Sequence, residues 1–138
     1  MIVVFDIDGV LADATHRQHY VSAKPKDWDS FFADVGADSV IERGRELLER
    51  ESPDCEVVLL SGRPERTRAD TEVWLERHGF IYSRLLLRSD ADRRKAAQFK
   101  VDIVQRLGAP AQITVIVDDD ATVTAALAAL GYRTETFA

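Results

Sequence analysis

Four short, largely apolar runs recur along the chain: Ile2 to Phe5, Glu56 to Leu60, Leu85 to Leu87 and Ile113 to Val117. Each is too brief for a helix and is continuous rather than alternating, the pattern of strands buried on both faces in a parallel sheet. Segments with helical spacing lie between them. They carry Val40, Ile41, Leu47 and Leu48; Val73, Trp74 and Leu75; Phe99, Ile103, Val104 and Leu107; and Val123, Ala126, Leu127 and Leu130. Strands alternating with helices call for βαβ units. Gly79, Gly108 and Gly131 stand where helices should end, the last ahead of a short fifth strand over Tyr132 to Phe137. The expected fold is one α/β domain over residues 1–138, a doubly wound, Rossmann-like parallel sheet. Only the stretch from about Leu11 to Asp38, with Tyr20, Trp28, Phe31, Phe32 and Lys24-Pro25-Lys26, fits no βαβ slot. It is expected to be an insertion after the first strand, a flap or minimal cap.

Composition narrows the function. With 138 residues, 46% hydrophobic and 30% charged, the chain is an ordinary globular domain, which excludes fibrous and disordered classes. Twenty-four acids against eighteen bases give a net charge of −6, so no overall basic field collects nucleic acid, and a polyanion must meet a local patch. The single cysteine, Cys55, cannot form an internal disulfide, and the first apolar run turns acidic at Asp6 with no basic segment ahead of it. A reducing, cytoplasmic setting is the expectation. No apolar stretch approaches the roughly 18 to 20 residues of a membrane helix, so no membrane partner is expected.

Chemistry in an open parallel sheet gathers at the carboxyl ends of the strands. Strand one runs out into Asp6-Ile7-Asp8-Gly9-Val10, strand two into Ser61-Gly62-Arg63 and strand four into Asp118-Asp119-Asp120. Five acids on one edge repel each other unless a divalent cation neutralises them, and all-oxygen ligation is what Mg²⁺ prefers. A magnesium site built on Asp6, Asp8, Asp118 and Asp119 is therefore expected, with Asp8 contributing its backbone carbonyl. Asp120, directly before Ala121, can instead cap a helix. In Asp-x-Asp on an extended segment the two carboxylates point the same way about 6 to 7 Å apart, far enough to flank one phosphorus. Asp6 can then attack as a nucleophile while Asp8 transfers protons. Gly9 allows a sharp turn. Ser61, with the Gly62 backbone beside it, can hold phosphate oxygens ahead of a helix starting near Pro64. Arg63 is a fork-shaped phosphate donor. A phosphoryl transition state needs further positive charge, which Lys100 or Lys95 can supply. His16, His19 and His78 form no cluster with metal-ligand spacing.

At these residues the chain resembles the haloacid dehalogenase (HAD) superfamily of phosphatases, whose four motifs match Asp6-Ile7-Asp8-Gly9-Val10, Ser61, Lys100 and Asp118-Asp119. Val10 departs from the pattern, which more often has Thr or Ser. Within the superfamily the chain looks most like the 3′-phosphatase domain of phage-type polynucleotide kinases. That likeness rests on Arg17, on Ser61-Gly62-Arg63, and on the run Arg88 to Lys100 with Asp92-x-Arg94-Lys95. The resemblance implies that Arg17 and Arg63 act on the substrate phosphate, that Lys100 is the phosphate-binding lysine with Lys95 its neighbour, and that an aspartyl phosphate forms. The kinase half of the phage enzymes has no counterpart, since no Gly-x-x-x-x-Gly-Lys-Ser/Thr loop occurs in the sequence.

Members acting on small metabolites commonly carry a large cap, and neither cap position is large here. An open mouth suits a nucleic-acid end or phosphoprotein, or a small substrate enclosed by a second copy of the chain. Arg84, Arg88, Arg93, Arg94 and Lys95 outnumber Asp90 and Asp92 near the expected mouth, and Arg17, Lys24 and Lys26 extend the patch, with Tyr20 or Trp28 for base stacking. The reading is a Mg²⁺-dependent phosphomonoesterase for a phosphorylated nucleic-acid end or nucleotide 3′-phosphate, with a separate kinase or ligase as partner. The alternatives are a nucleotide or sugar-phosphate phosphatase and a non-catalytic binding module. A response-regulator receiver would need its phosphoacceptor at the third strand, where Arg88-Ser89-Asp90 stands.

Overall fold

In a computed structural model describing all residues Met1–Ala138, the chain runs β1 (Ile2–Phe5), β2 (Ala12–Asp13), α1 (His19–Ser22), α2 (Trp28–Ala33), β3 (Ser39–Val40), α3 (Glu42–Glu51), β4 (Glu56–Pro64), α4 (Arg68–Arg77), β5 (Arg84–Arg88), α5 (Ala96–Leu107), β6 (Ile113–Asp118), α6 (Ala121–Ala128) and β7 (Thr134–Thr136). Five strands form one parallel sheet in the order β5-β4-β1-β6-β7. Winding proceeds outward from β1 on one side and then returns to the other, so strand order reverses between β1 and β6. That is the switch point where an open α/β sheet leaves a crevice.

Burial on both faces explains the continuous apolar runs. On β1, Val3 and Phe5 belong to one core of seventeen buried residues and Val4 to a second core of ten. The first includes Leu47 and Leu48 of α3 with Trp74 and Leu75 of α4; the second includes Phe99 and Val104 of α5 with Val123 and Leu127 of α6. Gly79 and Gly131 have φ values of +74° and +94°, the left-handed conformation that stops a helix.

The insertion after β1 stands on a two-stranded antiparallel stem, Ala12 and Asp13 against Val40 and Ser39. It carries the short helices α1 and α2. Trp28, Phe31 and Phe32 pack on one another there, with ring centroids 5.1 to 5.8 Å apart. Two expectations need correction. β4 continues through Ser61-Gly62-Arg63 to Pro64, whose ψ of 153° is extended, and a 3-10 turn over Glu65–Thr67 intervenes before α4. Arg84 begins β5 and pairs with Glu56 at the start of β4, which puts it at the opposite end of the sheet from the crevice.

Candidate active site

The crevice at the β1 and β6 ends is a pocket of about 670 Å³ bordered by Asp6, Asp8, Gly9, Gly62, Lys100, Asp118 and Asp119, with Thr15, Gln18 and Phe31 from the insertion. β1 delivers Asp6 and Asp8, and β6 delivers Asp118 and Asp119. The Ile7 amide donates to Asp6 Oδ1 (2.8 Å) and the Asp120 amide to Asp118 Oδ1 (2.9 Å), so the backbone orients both carboxylates. Gly9 has φ of +81°, and a β-carbon there would lie 2.0 Å from an Asp119 carboxylate oxygen. Glycine is thus required both by backbone conformation and by the close approach of Asp119. Asp120 caps α6 by accepting from the Thr122 amide.

α5 carries Lys100 into this cluster. Its ammonium donates to Asp118 Oδ2 (2.6 Å) and lies 3.1 Å from Asp6 Oδ1. Burial opposes its charge, but Asp6 and Asp118 outweigh that and hold its pKa above the ordinary lysine value. Burial also pushes the Asp6 carboxyl well above the usual carboxylate range; Lys100 pulls it back, while Asp118, Asp8 and Asp119 push it further. Asp119 is raised by burial and by Asp118. Lys95, offered by the sequence alongside Lys100, lies exposed at the cap of α5 with no ion pair. The four residues between them carry the chain from the solvated helix start to its buried face.

Asp8 belongs to a second cluster. Arg17 Nη2 and Arg63 Nη2 donate to Asp8 Oδ1 (2.9 and 2.8 Å), and Arg63 Nε donates to Asp8 Oδ2 (3.2 Å). Burial alone would raise the Asp8 pKa, but the Arg63 charge and hydrogen bonds, with Arg17, bring it below the ordinary value. Arg17 and Arg63 are fully buried and do not border the pocket. Their remaining donors go to Phe31 O, Thr71 Oγ1 and, chiefly, Asp38. The sequence offered them as substrate-phosphate donors; in this structure they stand behind Asp8, with Nε, Nη1 and Nη2 of each engaged by protein acceptors.

Asp38 is the functional-site residue that sequence reasoning missed. It is buried, accepts from both arginines at 2.9 to 3.1 Å, lies 2.6 Å from His16 Nε2, and its carbonyl accepts from the Trp74 indole (2.7 Å). One signal pointed to it: two arginines in a closed site need two carboxylates, and Asp8 is only one. Ser61 is also fully buried, its hydroxyl accepting from the Arg63 amide (3.1 Å), which leaves its proton free to donate. Gly62 is the residue of that segment that reaches the pocket.

The charges divide cleanly. Asp8 and Asp38 balance Arg17 and Arg63, whereas Asp6, Asp118 and Asp119 face only Lys100. With all three acids ionised the second group has two negative charges in excess, the complement of one divalent cation, and it offers carboxylate oxygens within 4.8 Å of one another. Hard oxygen donors of this kind fit Mg²⁺.

The sheet order and the acid-lined crevice define a HAD-type hydrolase fold. A haloacid dehalogenase-like hydrolase from Streptococcus pneumoniae superposes on 96% of this chain and 82% of its own, with a TM-score of 0.64 at 16% identity. A class C acid phosphatase from Bacillus anthracis, solved with tungstate bound, superposes on 86% and 51%, with a TM-score of 0.62 at 19% identity. Residues 1–135 match the family described as "Polynucleotide kinase PNKP phosphatase domain", and the chain belongs to that family. A chain in the Pnkp1/Rnl/Hen1 complex aligns with a TM-score of 0.80 at 23% identity. The alignment covers 97% of this chain but only 44% of that one, so the present chain spans less than half of that relative. No curated protein matches this chain in sequence.

Proposed function

We propose that this HAD-type phosphatase is a Mg²⁺-dependent phosphomonoesterase working through an aspartyl phosphate, and that it removes 3′-phosphates from nucleic-acid ends or nucleoside 3′-phosphates. The observation that carries the reading is the division of charge into a balanced cluster around Asp8 and an unbalanced one around Asp6. It gives two adjacent carboxylates opposite roles.

Asp6, held by the Ile7 amide and Lys100, is the nucleophile. A carboxylate oxygen of Asp6 bonds to phosphorus as the bond to the leaving 3′-oxygen breaks, and protonated Asp8 delivers its proton to that oxygen. Water then attacks the aspartyl phosphate, Asp8 takes the proton from the water, and inorganic phosphate and free Asp6 are regenerated. Mg²⁺, held by Asp6, Asp118, Asp119 and the Asp8 carbonyl, would supply charge neutralisation for the phosphoryl oxygens. Lys100 supplies a second positive charge, and the Ser61-Gly62 segment supplies donors. Arg17 and Arg63 keep the Asp8 carboxyl aimed into the pocket.

The choice of a 3′-phosphate is supported by the family match and by the open crevice, whose only cover is the short insertion. A separate kinase or ligase partner is part of this proposal, by likeness to the Pnkp1 chain solved together with Rnl and Hen1. The test is parallel hydrolysis, in Mg²⁺, of one oligonucleotide phosphorylated at its 3′ end, the same oligonucleotide phosphorylated at its 5′ end, and a sugar phosphate. Preference for the 3′-phosphate is expected. Preference for either other substrate overturns the 3′ assignment.

A further inference from the structure

Beside the acid pocket runs a second groove of about 470 Å³, between α2 of the insertion and the ends of β4 and β5. Trp28, Phe32, Gly62, Arg66, Arg88 and Arg93 border it. Gly62 borders both spaces, and a β-carbon added there would meet only Arg88 Nη2, at 3.7 Å. The two spaces thus adjoin at Gly62, where the backbone carries no side chain. On the assumption that the 3′-phosphatase reading holds, we infer that this groove seats the nucleoside bearing the scissile phosphate and the next phosphate of the strand.

Three features argue for that occupant. Trp28 is the only aromatic among the exposed large apolar residues, at 47% exposure, and its ring is held by Phe32 stacked at 5.8 Å and Phe31 edge-on at 5.6 Å. A pre-set, half-uncovered indole is a stacking platform for a base. The groove's acids, secondly, are already engaged. Asp92 is clasped by Arg94, which holds its pKa down to about 2; Asp90 accepts from the Arg66 amide; and Asp29 lies 3.5 Å from Arg66 Nη2. Arg93 has no carboxylate partner, and Arg88, stacked 4.9 Å over Phe99, keeps a buried Nε with no acceptor. A phosphodiester supplies an acceptor to Arg93 and to Arg88 Nη2, the atom that faces Gly62. Thirdly, a minimal phosphate ester fills the acid pocket alone and has nothing to place in the groove.

The experiment joins binding to selectivity. The chain has two tryptophans, and Trp74 is fully buried, so a stacked base is reported by Trp28 emission. Titrating the Asp6→Asn protein in Mg²⁺ with a 3′-phosphorylated dinucleotide should quench that emission, and inorganic phosphate should not. In otherwise unaltered protein, the ratio of kcat/KM for a 3′-phosphorylated oligonucleotide to kcat/KM for p-nitrophenyl phosphate should fall about tenfold in Trp28→Ala, the scale of one lost base stack. Arg93→Ala, a change at an exposed residue, should lower the same ratio and reduce the slope of log affinity against log salt by about 0.7. Arg43→Ala probes the other exit of the acid pocket, where Arg43 stacks on Phe137. If 3′-phosphates are preferred yet Trp28 is not quenched, or the ratio falls in Arg43→Ala and not in Trp28→Ala and Arg93→Ala, the groove assignment is overturned and the 3′-phosphatase reading stands. If the unaltered protein prefers a sugar phosphate, both fail.

Discussion

At Asp8, three hydrogen bonds from two arginines hold one carboxylate whose proposed work is to carry a proton. Replacing it with Asn should slow turnover by about 10²- to 10⁴-fold, the usual worth of general acid–base catalysis. Calorimetry should show Mg²⁺ affinity little changed, because the side chain is assigned to the arginines and only the carbonyl to the metal. The arginines lower the Asp8 pKa, so the protonated form needed for leaving-group departure is depleted as pH rises. The pH profile of kcat/KM should peak on the acid side of neutrality. Arg17→Ala should lower the maximum and move its alkaline limb to higher pH, since one source of the lowering is gone. Asp38 acts one step further back. Asp38→Ala leaves two buried guanidinium groups with half their counter-charge and should cost about 3 to 5 kcal/mol in thermal or urea unfolding. Asp38→Asn, which keeps the shape, should fold and lose kcat rather than raise KM, because its effect reaches substrate only through the aim of Asp8.

At the level of elements, the strands and the ends of the crevice were legible because each is read from a few neighbouring residues. A run buried on both faces has no polar alternation, and Asp6-Ile7-Asp8-Gly9 and Asp118-Asp119 follow such runs directly. The stem strands β2 and β3 were not legible, since two residues have no periodicity. Nor was the basic patch: Arg84, Arg88, Arg93 and Arg94 are close in sequence, but the length of β5 sends Arg84 to the far end of the sheet, and Arg94 is spent on Asp92 and Asp102. The residues taken alone left Lys100 and Lys95 both open, and the buried face of α5 separates them. Gly44 on α3 shows the same limit. A β-carbon there would lie 1.7 Å from the Val10 carbonyl oxygen, so this helix touches the chain just after the catalytic loop. Gly44→Ala should force α3 away from that loop and cost about 1 to 3 kcal/mol, as overpacking does. Denaturant unfolding midpoints measure the loss, and no loss would mean that the contact relaxes freely.

Across the whole molecule, the net charge of −6 and an anion-binding groove are compatible because the groove's three aspartates are engaged by arginine side chains or the Arg66 amide, while Arg93 has no carboxylate partner. The cluster around Asp6 is the costly part. Its carboxyl has a folded pKa above its unfolded value near 4, so the folded protein binds extra protons between the two, and metal-free stability from this group falls as pH rises through that interval. Asp6→Asn should therefore raise the melting temperature of the metal-free protein, by more at neutral pH than at pH about 4. Excess Mg²⁺ should reverse the order, because binding at 100 times Kd adds about 2.7 kcal/mol to a protein that keeps its ligands. The most direct test of the proposed chemistry is rapid acid quenching of the unaltered protein during turnover of a 3′-phosphorylated oligonucleotide in Mg²⁺, followed by peptide mass spectrometry. One phosphoryl group on the peptide containing Asp6, absent in Asp6→Asn, is the expected result. Steady turnover with no phosphoryl group on that peptide, or turnover surviving in Asp6→Asn, would contradict the account.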